Sequence, residues 1–167
     1  MNNKFLVGIS LLLATVFFAC SNDSTSTNNN NGGGGNNNTT EGSMKLTVDG
    51  TAYDWTTATA TKQTAGGMTI YTVAAIDAAG TSAAGFSISN ISGPGTYTVG
   101  ASSTRIVTLE YHNGTDSFQA GLPGTSGTIT VTQLSPNVIA TFSGTLSKTS
   151  GSGTVTITNG SVNAKVM

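Results

Sequence analysis

The sequence of 167 residues predicts an all-β domain, an antiparallel β-sandwich or small barrel of roughly nine to eleven short strands, preceded by a signal peptide and a disordered linker. Three observations predict this fold class. Apolar residues recur with a period of two from Met44 onward, turn residues recur about every ten positions, and no window shows a convincing helical period. Short connections between consecutive strands favour antiparallel pairing.

The period of two is clearest in segments 45–48, 128–132, 138–147, 154–158 and 161–166, where apolar residues alternate with Thr, Ser, Asn or Lys. Successive side chains of a strand point to opposite faces, so each of these strands has one face for the core and one for solvent. The predicted core consists of Leu46, Val48, Tyr53, Trp55, Ile70, Val73, Phe86, Ile88, Tyr97, Val107, Leu109, Phe118, Ile129, Val131, Phe142, Leu146, Val155 and Ile157.

Gly, Pro, Asn and Asp mark the predicted turns. Asn-Gly between two alternating segments is the strongest short hairpin signal, because both residues tolerate a positive φ. The pair occurs at Asn113-Gly114 and at Asn159-Gly160, and we predict a hairpin at each. The Ala-rich segment 74–84 contains Asp77 and Gly80, so it predicts a strand end and a turn.

The first 19 residues have the pattern of a signal peptide. Lys4 supplies a positive charge, and an apolar segment follows from Phe5 to Phe18. That segment is shorter than the roughly 20 residues of a membrane-spanning helix. Ala19 is small and directly precedes Cys20, the single cysteine of the sequence.

The sequence Phe17-Phe18-Ala19-Cys20 resembles the lipobox of bacterial lipoproteins, whose form is Leu-(Ala/Ser)-(Gly/Ala)-Cys. Ala19 and Cys20 match that pattern, and the two Phe residues depart from it. The resemblance implies cleavage between Ala19 and Cys20, diacylglycerol on the Cys20 thiol and acylation of the new N-terminus. Two or three acyl chains give a durable membrane anchor. The alternative is simple secretion with a free Cys20.

Residues 20–43 are predicted to be the lipidated Cys20 and a disordered tether of Asn, Gly, Ser and Thr. Positions 21–43 contain no apolar side chain, so this segment cannot bury enough surface to offset its ordering entropy. As a random coil it would reach about 25–30 Å. Asp23-Ser24-Thr25 resembles the O-glycan attachment sites of Bacteroidota-type bacteria, which implies O-glycosylation of Ser24; the alternative is ordinary tether sequence.

The remaining segment, 44–167, is predicted to be the all-β domain. It resembles small uncharacterised β-rich lipoproteins of Bacteroidota-type bacteria in Gly95-Thr96-Tyr97 and in segments 126–131, 142–146 and 155–160. That group has no agreed activity. The resemblance therefore implies a fold and a location in the cell envelope, and it implies no chemistry.

The titratable residues form few candidate sites. Charged residues make up 8% of the sequence and the basic ones are scattered, so no nucleic-acid partner is expected. Glu110 and His112 share one strand face near the Asn113-Gly114 turn, with Asp116 beyond it; they could form a metal or hydrolytic site or a solvated polar hairpin end. Because catalytic and metal-binding motifs are lacking, we predict no catalytic residues, no metal site, no cofactor and no enzymatic activity.

The Thr-rich strands suggest a second kind of site. Two strands would each carry a row of hydroxyls about 6.6–6.8 Å apart on one face: Thr128, Thr130 and Thr132 on one, and Thr154, Thr156 and Thr158 on the other. Such rows could bind ice or carbohydrate, or they could simply reflect the preference of Thr for exposed strand positions. Of the aromatic residues that could stack on sugars, Trp55 and Tyr53 share one strand face and are expected to anchor the core.

Taken together, these features predict a membrane-anchored envelope or cell-surface lipoprotein with a non-catalytic β-sandwich binding or structural module. The alternatives are a barrel that binds a small ligand or carbohydrate in its interior, and a hydrolase with an unrecognised site. The expected partners are the membrane, through acyl chains on Cys20, and an unidentified protein or glycan. The expected location is the outer membrane, facing the periplasm or the cell surface.

Overall fold

The computed structural model describes residues 39–102 and 104–167, and this part of the chain consists of strands and connecting turns. The predicted signal peptide, Cys20 and Ser24 lie outside the described residues. Twelve strands are formed: β1 (Ser43–Val48), β2 (Thr51–Trp55), β3 (Thr59–Ala65), β4 (Met68–Ile76), β5 (Ser82–Ser89), β6 (Gly95–Thr98), β7 (Gly100–Ala101), β8 (Ile106–Asn113), β9 (Asp116–Ala120), β10 (Ser126–Gln133), β11 (Asn137–Lys148) and β12 (Thr154–Val166). Among the described residues there is no helix long and apolar enough to cross a membrane.

The strands form two packed layers that are hydrogen-bonded to each other at their sides. The first layer has the order β2-β1-β12-β11-β10-β6, and the second has the order β3-β4-β5-β8-β9, with β7 also paired to β8. The end of β12 pairs with the start of β3, the one parallel pairing found among the described strands, and the end of β11 pairs with β9. The all-β, mostly antiparallel prediction is confirmed, and the closed path of pairings gives a flattened barrel.

The inner faces of the two layers interlock through aromatic side chains. Phe86 of the second layer lies 5.7 Å from Phe142 of the first, measured between ring centroids. Tyr111 of the second layer lies 6.3 Å from Tyr53 of the first. Side chains thus occupy the space between the layers along these contacts. Burial of apolar surface there is the main contribution to the stability of a domain without disulfides.

Fifteen residues of the predicted core are buried, Tyr53 and Phe118 are partly exposed but pack against the core, and the prediction is wrong for Ile70, which is partly exposed. Ile70 is the instructive case. Val73 points inward with no exposed surface, and residues three positions apart on a strand point to opposite faces. Tyr71, only 7% exposed, therefore takes the inward position in place of Ile70.

The two Asn-Gly pairs adopt different structures. Asn113-Gly114 joins β8 to β9, as predicted. The hairpin predicted at Asn159-Gly160 is wrong, because β12 continues through it as a single strand of 13 residues. Instead, the register between β11 and β12 shifts there and forms a β-bulge, with Asn159 in the left-handed region at φ 52°.

The folded domain begins earlier than the predicted boundary at Met44. Gly42 N–H donates to the carbonyl of Asn163 at 2.7 Å, and Asn163 Nδ2 donates to the carbonyl of Thr39 at 3.1 Å. Asn137 Nδ2 lies 2.8 Å from both Glu41 Oε2 and Asn163 Oδ1. These polar contacts hold residues 39–43 against the final strand, so the last five residues of the predicted tether belong to the domain. The alternation of apolar residues could not predict them, because the contacts are made by polar groups.

Candidate functional site

The acidic and histidine residues singled out from the sequence are only partly brought together. Glu110 and His112 do share the outer face of β8, with His112 Nε2 lying 4.0 Å from Glu110 Oε2. His112 Nδ1 is 2.9 Å from Ser117 Oγ, while Gln119 Nε2 donates to Glu110 Oε1 at 3.3 Å. Asp116, however, forms an ion pair of 2.8 Å with Lys148. The three groups therefore do not converge on a common point.

This polar hairpin end has the geometry of a surface network in which each side chain already has a protein partner. The side chains of His112 and Asp116 are 44% and 43% exposed, so both remain in contact with water. Within residues 39–102 and 104–167, no group of three or more His, Cys, Asp or Glu side chains is placed to hold a metal ion. The hairpin is therefore not the strongest candidate site of the described domain.

The aromatic cluster between the layers is a structural element. Tyr111 is 2% exposed, and its ring centroid lies 6.1 Å from that of Phe118. Its hydroxyl donates a hydrogen bond of 3.4 Å to the hydroxyl of Tyr53. Burial raises the pKa of Tyr111, so the phenol stays neutral across the physiological range. Trp55 is also buried, at 5% exposure. The expectation that Trp55 and Tyr53 serve the core is consistent with these contacts.

The outer face of the first layer carries a two-dimensional array of hydroxyl groups, which we call the hydroxyl face. It comprises Thr96, Thr98, Thr128, Thr130, Thr141, Ser143, Thr158 and Ser161. The strand register aligns these residues in two rows that cross β6, β10, β11 and β12. One row is Thr98, Thr128, Ser143 and Thr158, and the other is Thr96, Thr130, Thr141 and Ser161.

An open depression of about 680 Å³ lies within the hydroxyl face. Its lining residues are Thr128, Thr130, Thr141, Phe142, Ser143, Thr158, Asn159, Gly160 and Ser161. None of these side chains is charged. Phe142 is only 4% exposed because its ring belongs to the core, so the lining offers hydroxyl and amide groups and no accessible aromatic ring.

The β-bulge of β12 forms part of the lining of this depression. Ser143 of β11 is opposite both Thr158 and Asn159, which gives two outward-facing side chains against one. Gly160 follows, and a Cβ there would lie 2.5 Å from ring atoms of Phe142. Glycine is therefore required at 160 by the packed core beneath the hydroxyl face, and the Asn-Gly pair contributes a bulge where the sequence pattern predicts a turn.

The hydroxyls of this face are largely unpaired within the protein. Among the side-chain hydrogen bonds of the described residues, the contact of 3.1 Å between Thr96 Oγ1 and Thr130 Oγ1 is the one that involves the hydroxyl of any of the eight. The remaining six hydroxyls face solvent, each able to donate one hydrogen bond and to accept others. This makes the hydroxyl face an extensive polar surface whose hydroxyls are mostly not used within the described strands.

Sequence reasoning found part of this site. Thr128, Thr130 and Thr158 were predicted to lie in rows along their own strands, and they do. The neighbouring Thr96, on β6, could not be placed beside them, because its partner Thr130 lies 34 positions further along the chain. Comparisons with family models, curated proteins and solved structures gave no match to this chain.

Proposed function

We propose that this protein is a lipid-anchored lipoprotein of the bacterial envelope whose β domain is a non-catalytic binding or structural module. The observation that carries the proposal is the position of the single cysteine, directly after an apolar segment and the small residue Ala19. An exported thiol at this position would be consumed by lipidation. Cys20 would then bear the acyl chains, and Ala19 would be the last residue removed with the signal peptide.

The length of chain between Cys20 and the first described residue supports a domain held away from the membrane by a tether. Eighteen residues (21–38) separate Cys20 from Thr39, and their composition predicts a coil that would reach about 20–25 Å. The domain then begins at Thr39 to Ser43, hydrogen-bonded to the last strand. The tether would enter the domain at this point, and the outer faces of the two layers would be free for a partner.

The proposed module binds through its surface, because aromatic contacts between the layers occupy the space that an interior ligand would need. The proposal includes three further features, which the sequence alone supports: location in the envelope, attachment to the outer membrane and O-glycosylation at Ser24. It also includes an unidentified protein or glycan partner.

The anchor is tested by mass spectrometry of the protein from the membrane fraction of cells that express it. The wild-type protein should yield an N-terminal peptide that begins at Cys20 and carries acyl chains. In Cys20→Ser this lipopeptide should be absent and the protein should leave the membrane fraction, whereas the matched variant Ser21→Ala should behave like wild type. A free Cys20 thiol in the wild-type protein, or equal membrane retention of Cys20→Ser, would contradict the anchor.

A further inference from the structure

We infer that the hydroxyl face is the binding site for an uncharged polysaccharide chain, which lies in the depression across β10, β11 and β12. The inference depends on the proposal that the domain is a binding module, since it names the ligand class of that module. It does not depend on the lipid anchor. Four features of the described residues carry it: unpaired hydroxyls, absence of charge, absence of an exposed aromatic anchor, and shape.

The hydrogen-bonding capacity of the face matches that of a sugar. Thr128, Thr141 and Ser143 have no hydrogen-bond partner for their hydroxyls among the described residues, and each hydroxyl can both donate and accept. A polysaccharide presents the same chemistry, since its hydroxyls also donate and accept. Thr is β-branched and therefore stiff at χ1, so little side-chain entropy is lost when such a residue binds.

The charge distribution selects a neutral ligand. The lining of the depression contains no Lys, Arg, Asp or Glu. The nearest charges in the same register row are those of Lys45 and Asp54, which neutralise each other through an ion pair of 2.8 Å. An anionic polymer or a nucleic acid would require basic side chains along its path, which this face does not supply.

The composition of the lining also disfavours a protein partner. Protein interfaces concentrate their binding energy in Trp, Tyr and Arg side chains that fill pockets. Phe142 is the one aromatic residue of the lining, and its ring is held in the core against Phe86. No exposed aromatic or Arg side chain of the depression is therefore available as an anchor.

Shape separates a polymer chain from a flat crystalline surface such as ice. The row from Thr98 to Thr158 crosses four strands and spans about 14 Å at the usual spacing of strands. Twist between adjacent strands, the bulge at Asn159 and the depression beside it keep this face from being planar. An extended chain can follow such a twisted row of hydroxyls across the strands, whereas a flat crystal face would meet only part of it.

The test is retention of the full-length protein, extracted in detergent, on insoluble neutral polysaccharides: cellulose, a β-1,3-glucan, starch and mannan. Sedimentation with each polymer gives an apparent Kd. At least one polymer should retain the wild-type protein, and charged polygalacturonate should not. Loss of three hydroxyls in Thr128→Val/Thr141→Val/Ser143→Ala should weaken that binding about 100-fold, because each lost hydrogen bond costs roughly fivefold in affinity.

A matched control comes from the outer face of the second layer. Thr61→Val/Thr72→Val removes two hydroxyls that are neighbours across β3 and β4, and this variant should bind within about twofold of wild type. A second variant, Ser143→Glu, places a carboxylate in the depression and should also abolish retention. Thermal unfolding of each variant, recorded by circular dichroism, checks that the fold is intact.

Several results would overturn the inference: no retention on any neutral polymer, equal retention of wild type and of both depression variants, or preferential binding to polygalacturonate. Partition of the labelled protein into a growing ice crystal, with no polysaccharide binding, would also overturn it. These results leave the lipid anchor standing if the acylated Cys20 peptide is found. Conversely, a free Cys20 thiol refutes the anchor while a polysaccharide-bound wild type still supports the hydroxyl face.

Discussion

The outer faces of the two layers use the same polar residue types, but the examples of paired side chains come mostly from the second layer. On the second layer, polar side chains pair with each other: Ser87 with Thr108 at 2.8 Å, and His112 with Ser117 at 2.9 Å. On the hydroxyl face of the first layer, a single such pair is found among the described residues. The comparison separates two uses of a polar strand residue. A paired side chain adds to the stability of the fold, and an unpaired one is left for water or a ligand.

The largest expected effect comes from the glycine beneath the hydroxyl face. In Gly160→Ala the new Cβ would lie 2.5 Å from the carbonyl oxygen and ring atoms of Phe142, so β11 and β12 must move apart. We expect the free energy of unfolding to fall by about 3 kcal/mol. Gly114→Ala is the matched control in the other Asn-Gly pair. Its Cβ meets nothing within 4 Å but retains φ +59°, so about 1 kcal/mol is expected.

Urea unfolding of both glycine variants would decide whether the bulge is a required part of the first layer. An equal loss for the two variants would mean that β12 can absorb a side chain at position 160. In that case the depression would be a deformable feature, and the contrast between the two Asn-Gly pairs would be lost.

A smaller change in the free energy of unfolding is expected when a hydroxyl is removed from each of the two outer faces. Ser87→Ala leaves the Thr108 hydroxyl without its partner and should reduce the free energy of unfolding by about 1 kcal/mol. Ser143→Ala on the hydroxyl face breaks no protein hydrogen bond and should stay within about 0.5 kcal/mol of wild type. Chemical denaturation of the two single variants measures the difference. A larger loss for Ser143→Ala would show that its hydroxyl has a structural role.

The smallest effect concerns the turn between β4 and β5. A hydrogen bond from the Thr81 hydroxyl, supported by backbone N–H groups, holds the pKa of Asp77 below its usual value of 3.8. A lowered pKa in the folded state stabilises the protein above the unfolded pKa, and this contribution disappears as the pH falls through the folded pKa. Unfolding midpoints of wild type should therefore decline slightly more between pH 5 and pH 2 than those of Asp77→Asn, which keeps an acceptor but cannot titrate. Parallel curves would contradict this role.

Local patterns predicted the strands well because alternation reports directly on burial. Val155 and Ile157 are buried as expected, and Asn113-Gly114 forms its hairpin. Asn159-Gly160 carries the same local signal, yet it lies within a strand, because pairing with β1 on one side and β11 on the other outweighs the preference for a turn. Such pairing comes from strands distant in the sequence, and no local window contains it.

The candidate site shows the same limit. Individual Thr residues such as Thr128 were recognised, but their lateral neighbours depend on the order of strands in the sheet. The order β12-β11-β10-β6 brings together segments that are up to about sixty residues apart in the chain. The sequence therefore predicts a row of hydroxyls along one strand, whereas the neighbours of that row on other strands are known only from the fold.

The attachment of residues 39–43 to β12 has a mechanical consequence. A pull on the chain ahead of Thr39 would enter the domain through β1, whose hydrogen bonds to β12 lie across the direction of force and share the load in shear. A ligand held on β10, β11 and β12 would resist that pull from within the same layer. The load path would then run from tether to ligand mainly through the strands of the first layer.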